Sequence, residues 1–332
     1  MRAWLMDSYD GVEQLRLSEA PEPQPGPAEV LLKVGYAALN PADAFLAQGL
    51  YPAKPTLPHI LGRDGMGDVL QIGADVGNIR VGETVGILRC ETGVETPGTL
   101  AEKVVVPSES LVRIPSGWSL EEMAGAPLVF LTAWQALTQW NDPPVPPLAR
   151  SVLLVTGASG GVGVASVLLG KSLNLIVVAL SRDARKRTKL KTLGADGVFD
   201  PEDKNLVKAI SAAISPKKVD LAVDCVGGKL FPQVIALLGY GGKISVVGRS
   251  GGTAPEFNTA TLLFRRIRIG GVSVGDYTAQ AAQTAWKEIV DRLEMIGRRP
   301  LVDSIVSFEE VKKGFARLAQ GPMGKVVVCV VG

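Results

Sequence analysis

The sequence predicts an α/β protein in which a doubly wound parallel sheet is inserted into a β-rich domain. Three observations carry this reading. Between residues 151 and 247, apolar runs of strand length alternate with helical segments, as βαβ units do. The flanking residues read instead as short strands, turns and mixed structure. The chain's 332 residues also exceed what one ordinary core accommodates, so two domains are expected. The β-rich domain is placed at 1–122 and 275–332, and the inserted domain at 123–274.

Residues 1–120 read as strands and turns. A rigid proline-rich loop at 21–27 precedes the β-like run 29–34. Between Gly62 and Gly86, glycines punctuate runs such as 69–72 and 85–88, which suggests a small barrel-like unit rather than helices. Ser119-Leu-Glu-Glu122 resembles a helix start with a capping box. A proline-rich stretch at 143–147 leads into an apolar strand at 151–156. Further strands are expected at 175–180, 219–223 and 243–247, with helices near 161–173, 183–193, 203–214 and 228–239. The ending reads as a helix at 278–296, a strand at 301–306, a helix at 308–319 and a strand at 325–328.

Composition excludes several classes of function. Thirty-five basic residues nearly balance thirty-three acidic ones, for a net charge of +2, which argues against nucleic acid or a membrane surface as the partner. An acid at Asp7 comes too early for an apolar signal core, and no stretch of roughly twenty apolar residues exists without charges or clustered glycines, so no membrane span is expected. Cys90, Cys225 and Cys329 are widely spaced and odd in number, which points to a reducing cytoplasm rather than a disulfide framework. His59 is the one histidine, and no Cys-x-x-Cys pair exists, so neither a catalytic nor a structural zinc is expected. Nothing in the pattern sets Cys90 or Cys225 beside His59 for nucleophilic chemistry.

The most informative stretch is Val155-Thr-Gly-Ala-Ser-Gly-Gly-Val-Gly163, which joins an apolar strand to an apolar helix. Ala158, Gly160 and Gly163 occupy the three fingerprint positions of a dinucleotide-binding turn, where small residues let the backbone approach a pyrophosphate at the helix N-terminus. The alternative is a glycine-rich turn with no ligand. At the end of the second strand an NAD enzyme usually places an acid. Here Ser181 and Arg182 stand there, followed by Arg185, Lys186 and Arg187. A hydroxyl with adjacent guanidinium groups suits a 2′-phosphate, so NADPH is expected in preference to NADH. The competing readings are a solvated basic helix face, as at Lys189 and Lys191, and an acid displaced to Asp183.

Several ordered blocks resemble the medium-chain dehydrogenase/reductases, in their zinc-free quinone oxidoreductase (zeta-crystallin-like) branch. They are Asn40-Pro-Ala-Asp43, Gly49-Leu-Tyr51, Pro58 through Gly67, Phe130 through Trp134, Gly160 through Gly163, Leu193 through Asp196, Asp224 through Gly227, and Gly321 through Lys325. The resemblance spans essentially the whole chain. It implies a Rossmann sheet inserted in a GroES-like β-rich catalytic domain. It also implies that a cysteine near Asn40 and a histidine near Arg63, zinc ligands in other branches, are replaced here, and that the structural-zinc lobe around 89–100 is absent. By the same resemblance Ser159, Gly160, Gly161 and Val162 grip the pyrophosphate, and Ser181, Arg182 and Lys186 fall near the adenosine phosphate. Cys225, Val226, Val247 and Gly248 fall at the ligand-binding ends of strands, although the last three can equally serve packing and turns. Thr132 and Asn40 fall near the nicotinamide.

The activity implied is hydride transfer from NADPH to a small quinone or activated carbonyl compound, without zinc. The alternative is reduction of an enal or enoyl-thioester double bond. A reading of another class is a non-catalytic NADPH-binding structural protein, as lens crystallins of the family are. Without a metal, a hydroxyl donor must stabilise charge developing on oxygen. The resemblance implies Tyr51, in the loop that faces the cofactor in the family, its alternative being a packed loop aromatic. Phe45 stands where some relatives carry a second tyrosine, so Phe45 and Tyr51 are expected at the acceptor, with Asp43 orienting the loop. Arg265, Arg266 and Arg268 suit either an acidic substrate tail or a solvated strand edge. The family habit implies a homodimer or homotetramer pairing near residues 267–269.

Overall fold

The computed structural model describes residues 1–89, 91–141 and 145–330. Cys90, Pro143 and Pro144, named above, lie outside the described residues. In chain order the elements begin with β1 (Arg2–Met6), β2 (Arg16–Glu19), β3 (Glu29–Leu39), α1 (Pro41–Ala47), β4 (His59–Ile60), β5 (Asp64–Ile72) and β6 (Thr84–Ile87). Then come β7 (Lys103–Pro107), β8 (Leu111–Arg113), α2 (Leu120–Gly125), α3 (Pro127–Thr138), β9 (Val152–Val155), α4 (Gly161–Ser172), β10 (Ile176–Leu180), α5 (Ala184–Thr192) and β11 (Gly197–Phe199). Next are α6 (Leu206–Ile214), β12 (Val219–Asp224), α7 (Phe231–Leu237), β13 (Leu238–Val246), α8 (Thr259–Arg265) and β14 (Arg268–Gly271). The chain ends with α9 (Ala279–Met295), β15 (Val302–Ser307), α10 (Val311–Ala319) and β16 (Lys325–Cys329). None of the described helices is long and apolar enough to cross a membrane.

The chain divides into two units. One comprises Met1–Leu128, Gly275–Lys287 and Arg299–Gly332, the other Val129–Val274 and Glu288–Arg298. The first is built on a seven-stranded sheet in the order β15-β16-β3-β5-β6-β8, with β7 also paired to β3, and on a three-stranded sheet β2-β1-β4. Strand β3 buries Val30, Leu32 and Val34 from one stretch of alternating apolar residues, as a half-buried strand must. Its register against β5 shifts twice, and such bulges curve a sheet towards closure. Close packing explains one glycine here: a Cβ on Gly67 would lie 2.2 Å from the Lys33 carbonyl oxygen. The core gathers Leu32, Val85, Leu111, Phe308, Val326 and Val328, among others.

The second unit carries a six-stranded sheet in the order β11-β10-β9-β12-β13-β14, parallel throughout. Numbered within the unit this is 3-2-1-4-5-6, the doubly wound order of the Rossmann fold, whose switch point falls between the first and fourth strands. Strand β9 is buried along its whole length, as expected for a central parallel strand covered on both faces.

Two expectations need correction. The first 120 residues hold a helix, α1, where strands and turns alone were expected. Its signals are local: Asn40 at the N-cap, Pro41 at the first helical position and Asp43 at the third. The helix expected over 228–239 is a single turn, Gly228–Leu230, followed by α7, which stops at Leu237. Gly239, Gly241 and Gly242 favour extended chain over helix, so β13 starts at Leu238 rather than at 243.

Candidate functional site

In the second unit, the chain leaves β9 through Thr156 and turns at Gly157, whose φ of +57° favours glycine. The tight turn therefore sits one residue before Ala158. Ala158 is fully buried, and its N–H donates to the Leu180 carbonyl at 3.0 Å. The Ala158 side chain thus packs within the turn. Gly163 permits close approach of α4 to this turn, since a Cβ there would lie 2.3 Å from the Gly157 carbonyl oxygen. Helix α4 starts from Gly160 with no side-chain cap. Its first-turn N–H groups have no intrahelical acceptor, and the positive end of the helix dipole lies there. Gly161 and Val162 thus present N–H groups suited to a pyrophosphate beside Ser159 and Gly160, the Gly160 N–H itself donating to the Gly157 carbonyl at 3.0 Å.

Asp224 organises the neighbouring strand ends. It is fully buried and accepts from the Thr156 hydroxyl at 2.5 Å and from the N–H groups of Val226 and Gly227, each at 3.1 Å. Its carbonyl accepts from Val247 N at 2.8 Å and Gly248 N at 3.2 Å, while Cys225 N donates to Thr156 Oγ1 at 3.0 Å. Val226, Val247 and Gly248 are thereby tied to Asp224, through its carboxylate or its main-chain carbonyl, and Cys225 to Thr156. Gly248 can be nothing larger without displacement, because a Cβ would meet the Cys225 carbonyl oxygen at 2.4 Å. Burial, with the adjacent Asp224, pushes the half-buried Cys225 thiol up to about 12, which makes it a poor nucleophile.

At the end of β10 the hydroxyls of Ser181 and Ser159 lie 3.5 Å apart. Asp183 is used as the N-cap of α5, accepting from Lys186 N at 3.0 Å, and that bond holds its carboxyl below the ordinary range. Arg187 turns inward, donating to the carbonyls of Ser181 and Arg182, both at 2.7 Å, and to Asp200 at 2.9 Å. Arg182 and Arg185 are exposed and Lys186 is half-buried at this strand end. Thr132 is half-buried on α3 in the same unit. Of the arginines weighed for an acidic tail, Arg265 donates to the carbonyls of Ala236 and Leu238 and Arg268 lies over the Trp140 ring.

The first unit holds a buried charged cluster. Lys325, 4% exposed, donates to Asp64 Oδ2 at 3.0 Å and to Asn40 Oδ1 at 2.5 Å. Asn40 Nδ2 donates to Asp64 Oδ2 at 3.0 Å and to the Ala38 carbonyl, and Leu128 N donates to Asp64 Oδ1 at 3.1 Å. Every polar atom of the Asn40 amide is thus engaged inside the unit. Asp43 Oδ2 accepts from Asn40 N at 2.8 Å, while its Oδ1 is buried without a partner. Tyr51, in an irregular loop, accepts from Arg63 Nη1 at 3.0 Å, and the guanidinium lies 5.5 Å from its ring centroid. Phe45 is half-buried on α1. His59 is buried on β4 with Nε2 unpartnered, and burial lowers its pKa. Asp64, Lys325, Thr156 and Asp224 were given no role from sequence, and Arg63 entered only as standing near the place of a family histidine. The readable signal was charge within or ending an apolar strand, as in Lys325-Val-Val-Val and Val219-Asp-Leu-Ala-Val-Asp224.

Burial pushes the Asp43 carboxyl up to about 6, against the pull of Arg63, the Asn40 N–H and Lys325, with Asp64 adding to the rise. A carboxyl raised in the folded state binds its proton more tightly there than when unfolded. Its contribution to stability is complete below the unfolded pKa and is lost as pH rises through the folded one. Relative to Asp43→Asn, the native protein should therefore lose stability between about pH 4 and 6. Parallel urea-unfolding profiles of the two proteins across that range would remove Asp43 from the account.

Comparison with known proteins bears on both units. A domain model described as alcohol dehydrogenase GroES-like domain matches residues 26–116, and one described as zinc-binding dehydrogenase matches residues 161–294. The mitochondrial enoyl-[acyl-carrier-protein] reductase of Xenopus tropicalis is 29% identical over 306 residues, 88% of this chain and 83% of that one. The quinone oxidoreductase of Homo sapiens is 25% identical over 331 residues, 99% of this chain and 97% of that one. A solved structure described as an NAD-dependent alcohol dehydrogenase superposes with a TM-score of 0.91 at 30% identity and covers 100% of both chains.

Proposed function

The chain belongs to the medium-chain dehydrogenase/reductase family, and on that premise we propose an NADPH-dependent reductase that transfers hydride to a quinone or activated carbonyl compound without zinc. The observation that carries this reading is Tyr51, whose oxygen is held by Arg63 and whose own hydrogen is left to donate. The cofactor supplies the hydride when bound. Ser159 through Gly163 bind its pyrophosphate, and Ser181, Arg182 and Lys186 take the adenosine 2′-phosphate. Asp224 and Thr156 hold the strand-end loops that carry Cys225, Val226, Val247 and Gly248. Tyr51 donates to the acceptor oxygen on which charge develops, and Phe45 lines the acceptor's place. Asn40 is a positioning residue held by Asp64 and Lys325, and Thr132 is assigned to the nicotinamide by family resemblance alone.

Two features of the described residues support the zinc-free reading. Among the described residues no group of three or more His, Cys, Asp and Glu side chains is placed to hold a metal. Asp64 already faces the Lys325 ammonium at 3.0 Å, and a second cation would be repelled there. Reduction of an enal or enoyl-thioester double bond is the second reading, favoured by the Xenopus reductase at 29% identity. NADH is the second cofactor, favoured by the structure described as NAD-dependent. A non-catalytic NADPH-binding role is the reading that turnover would dismiss. We place the protein in the cytoplasm as a homodimer or homotetramer. Leu263 and Phe264 on α8, 72% and 76% exposed, accompany β14 at the open edge of the six-stranded sheet and support pairing there.

Titration with NADPH and NADH, followed by cofactor oxidation against quinones, enals and enoyl thioesters, tests this. NADPH should bind at least about tenfold more tightly than NADH, and Arg182→Ala should erase most of that margin, since a charge-assisted bond contributes about 1.5–3 kcal/mol. Equal affinities would favour the NADH reading. Binding of neither cofactor would overturn the proposal.

A further inference from the structure

We infer that Arg63 is the positioning residue for Tyr51, fixing the phenol so that its hydrogen is presented to the acceptor oxygen. This rests on the reductase reading, in which Tyr51 is the donor. Tyr51 belongs to an irregular segment between α1 and β4, so no helix or strand ladder sets its ring. Arg63 supplies two contacts in place of that restraint. Its Nη1–H donates to the phenol oxygen at 3.0 Å, and its guanidinium carbon lies 5.5 Å from the ring centroid. A phenol oxygen that accepts from a cation keeps its own O–H free to donate elsewhere, and among the described residues no acceptor takes that hydrogen.

The arginine is itself held. It immediately precedes β5, its side chain is half-buried, and its Nε is buried without a partner. Asp43 Oδ1 is likewise buried without a partner, and of the charges that act on Asp43 the largest influence is that of Arg63. Lys325 is paired with Asp64, whereas Arg63 makes no hydrogen bond to Asp43 and acts on it through its charge alone. Its Nη1 is given to the tyrosine. A neutral side chain at 63 would lose both the bond to Tyr51 and the charge that offsets Asp43.

The first measurement is NMR of protein labelled with 13Cζ-tyrosine, in which five tyrosines allow Tyr51 to be identified by its loss in Tyr51→Phe. Arg63→Gln should move the Tyr51 signal, and Arg63→Lys should move it less. An unmoved signal in Arg63→Gln would overturn the inference whether or not the protein turns over. The second is a kinetic cycle in the NADPH-bound protein. Arg63→Gln should lower kcat roughly 10- to 100-fold through misplacement of the donor, with NADPH affinity unchanged and partial recovery in Arg63→Lys. In the Tyr51→Phe background the same substitution should cost nothing further. An equal loss in both backgrounds would mean that Arg63 acts on the acceptor directly, and would overturn the positioning role. Absence of turnover in the native protein would count against the reductase reading alone, and the NMR result would still decide the contact.

Discussion

Replacing Lys325 with methionine should destabilise the first unit by about 3–5 kcal/mol, the usual penalty for removing one partner of a buried ion pair. Lys325 opens β16, where Val326, Val327 and Val328 are fully buried, and its own side chain is 5% exposed. Its stem runs past α2, where a Cβ on Gly125 would stand 3.1 Å from Lys325 Cβ. Methionine fills the same volume, so the loss isolates the charge rather than the packing. What remains is a fully buried Asp64 carboxylate with only the Asn40 amide and Leu128 N–H as donors. Asn40 Oδ1 loses its donor as well. The decisive comparison is the double variant Asp64→Asn with Lys325→Met, which should be more stable than the sum of the two single losses implies. Urea unfolding should be followed by more than one probe, since a chain of two units need not unfold in one step. Strictly additive losses would show that the two side chains do not act as a pair.

The same cluster shows how far the sequence could be read. The doubly wound sheet was legible because each of its central strands is a short apolar run, and β9, β10 and β12 fall close to where those runs stand. The cofactor turn was legible because glycine is required at Gly157 and Gly163 by backbone geometry alone. Helix α1 was obscured because seven residues carry too little hydrophobic periodicity to stand out, although its cap residues were in plain order. The start of β13 was misjudged because apolar residues 234–238 continue a helical pattern that the following glycines end.

Partnership between distant charges was the part that local reading could not supply. Asp64 and Lys325 are 261 residues apart in the chain, and each alone looks like a charge in a strand. Only the antiparallel pairing of β16 with β3 and of β3 with β5 brings them together. Arg63 illustrates the same point at short range. The family resemblance sets it near the place of a zinc-binding histidine in other branches, but its bond to Tyr51, twelve residues away, depends on how an irregular loop folds back. The fold followed from patterns of burial, whereas the site followed from contacts that pattern does not encode.

Asp224→Ala should cost the second unit about 3 kcal/mol or more, because three donors lose a buried acceptor and each unsatisfied group costs about 1–3 kcal/mol. Those donors are the Thr156 hydroxyl and the N–H groups of Val226 and Gly227. The effect should extend beyond stability. Thr156 follows β9 directly and precedes the Gly157 turn, so its release loosens the backbone on which Ser159 through Val162 are carried. Cofactor affinity should fall by roughly 10- to 100-fold, the cost of a cradle displaced by a fraction of an ångström to an ångström. Asp224→Asn retains one carbonyl oxygen and should lie between the native protein and Asp224→Ala in both respects. Dinucleotide titration at a temperature where both variants remain folded separates the two effects. Lost stability with unchanged affinity would confine Asp224 to the scaffold. A parallel fall in both would mean that the carboxylate which holds the strand ends together also sets the geometry of the pyrophosphate cradle.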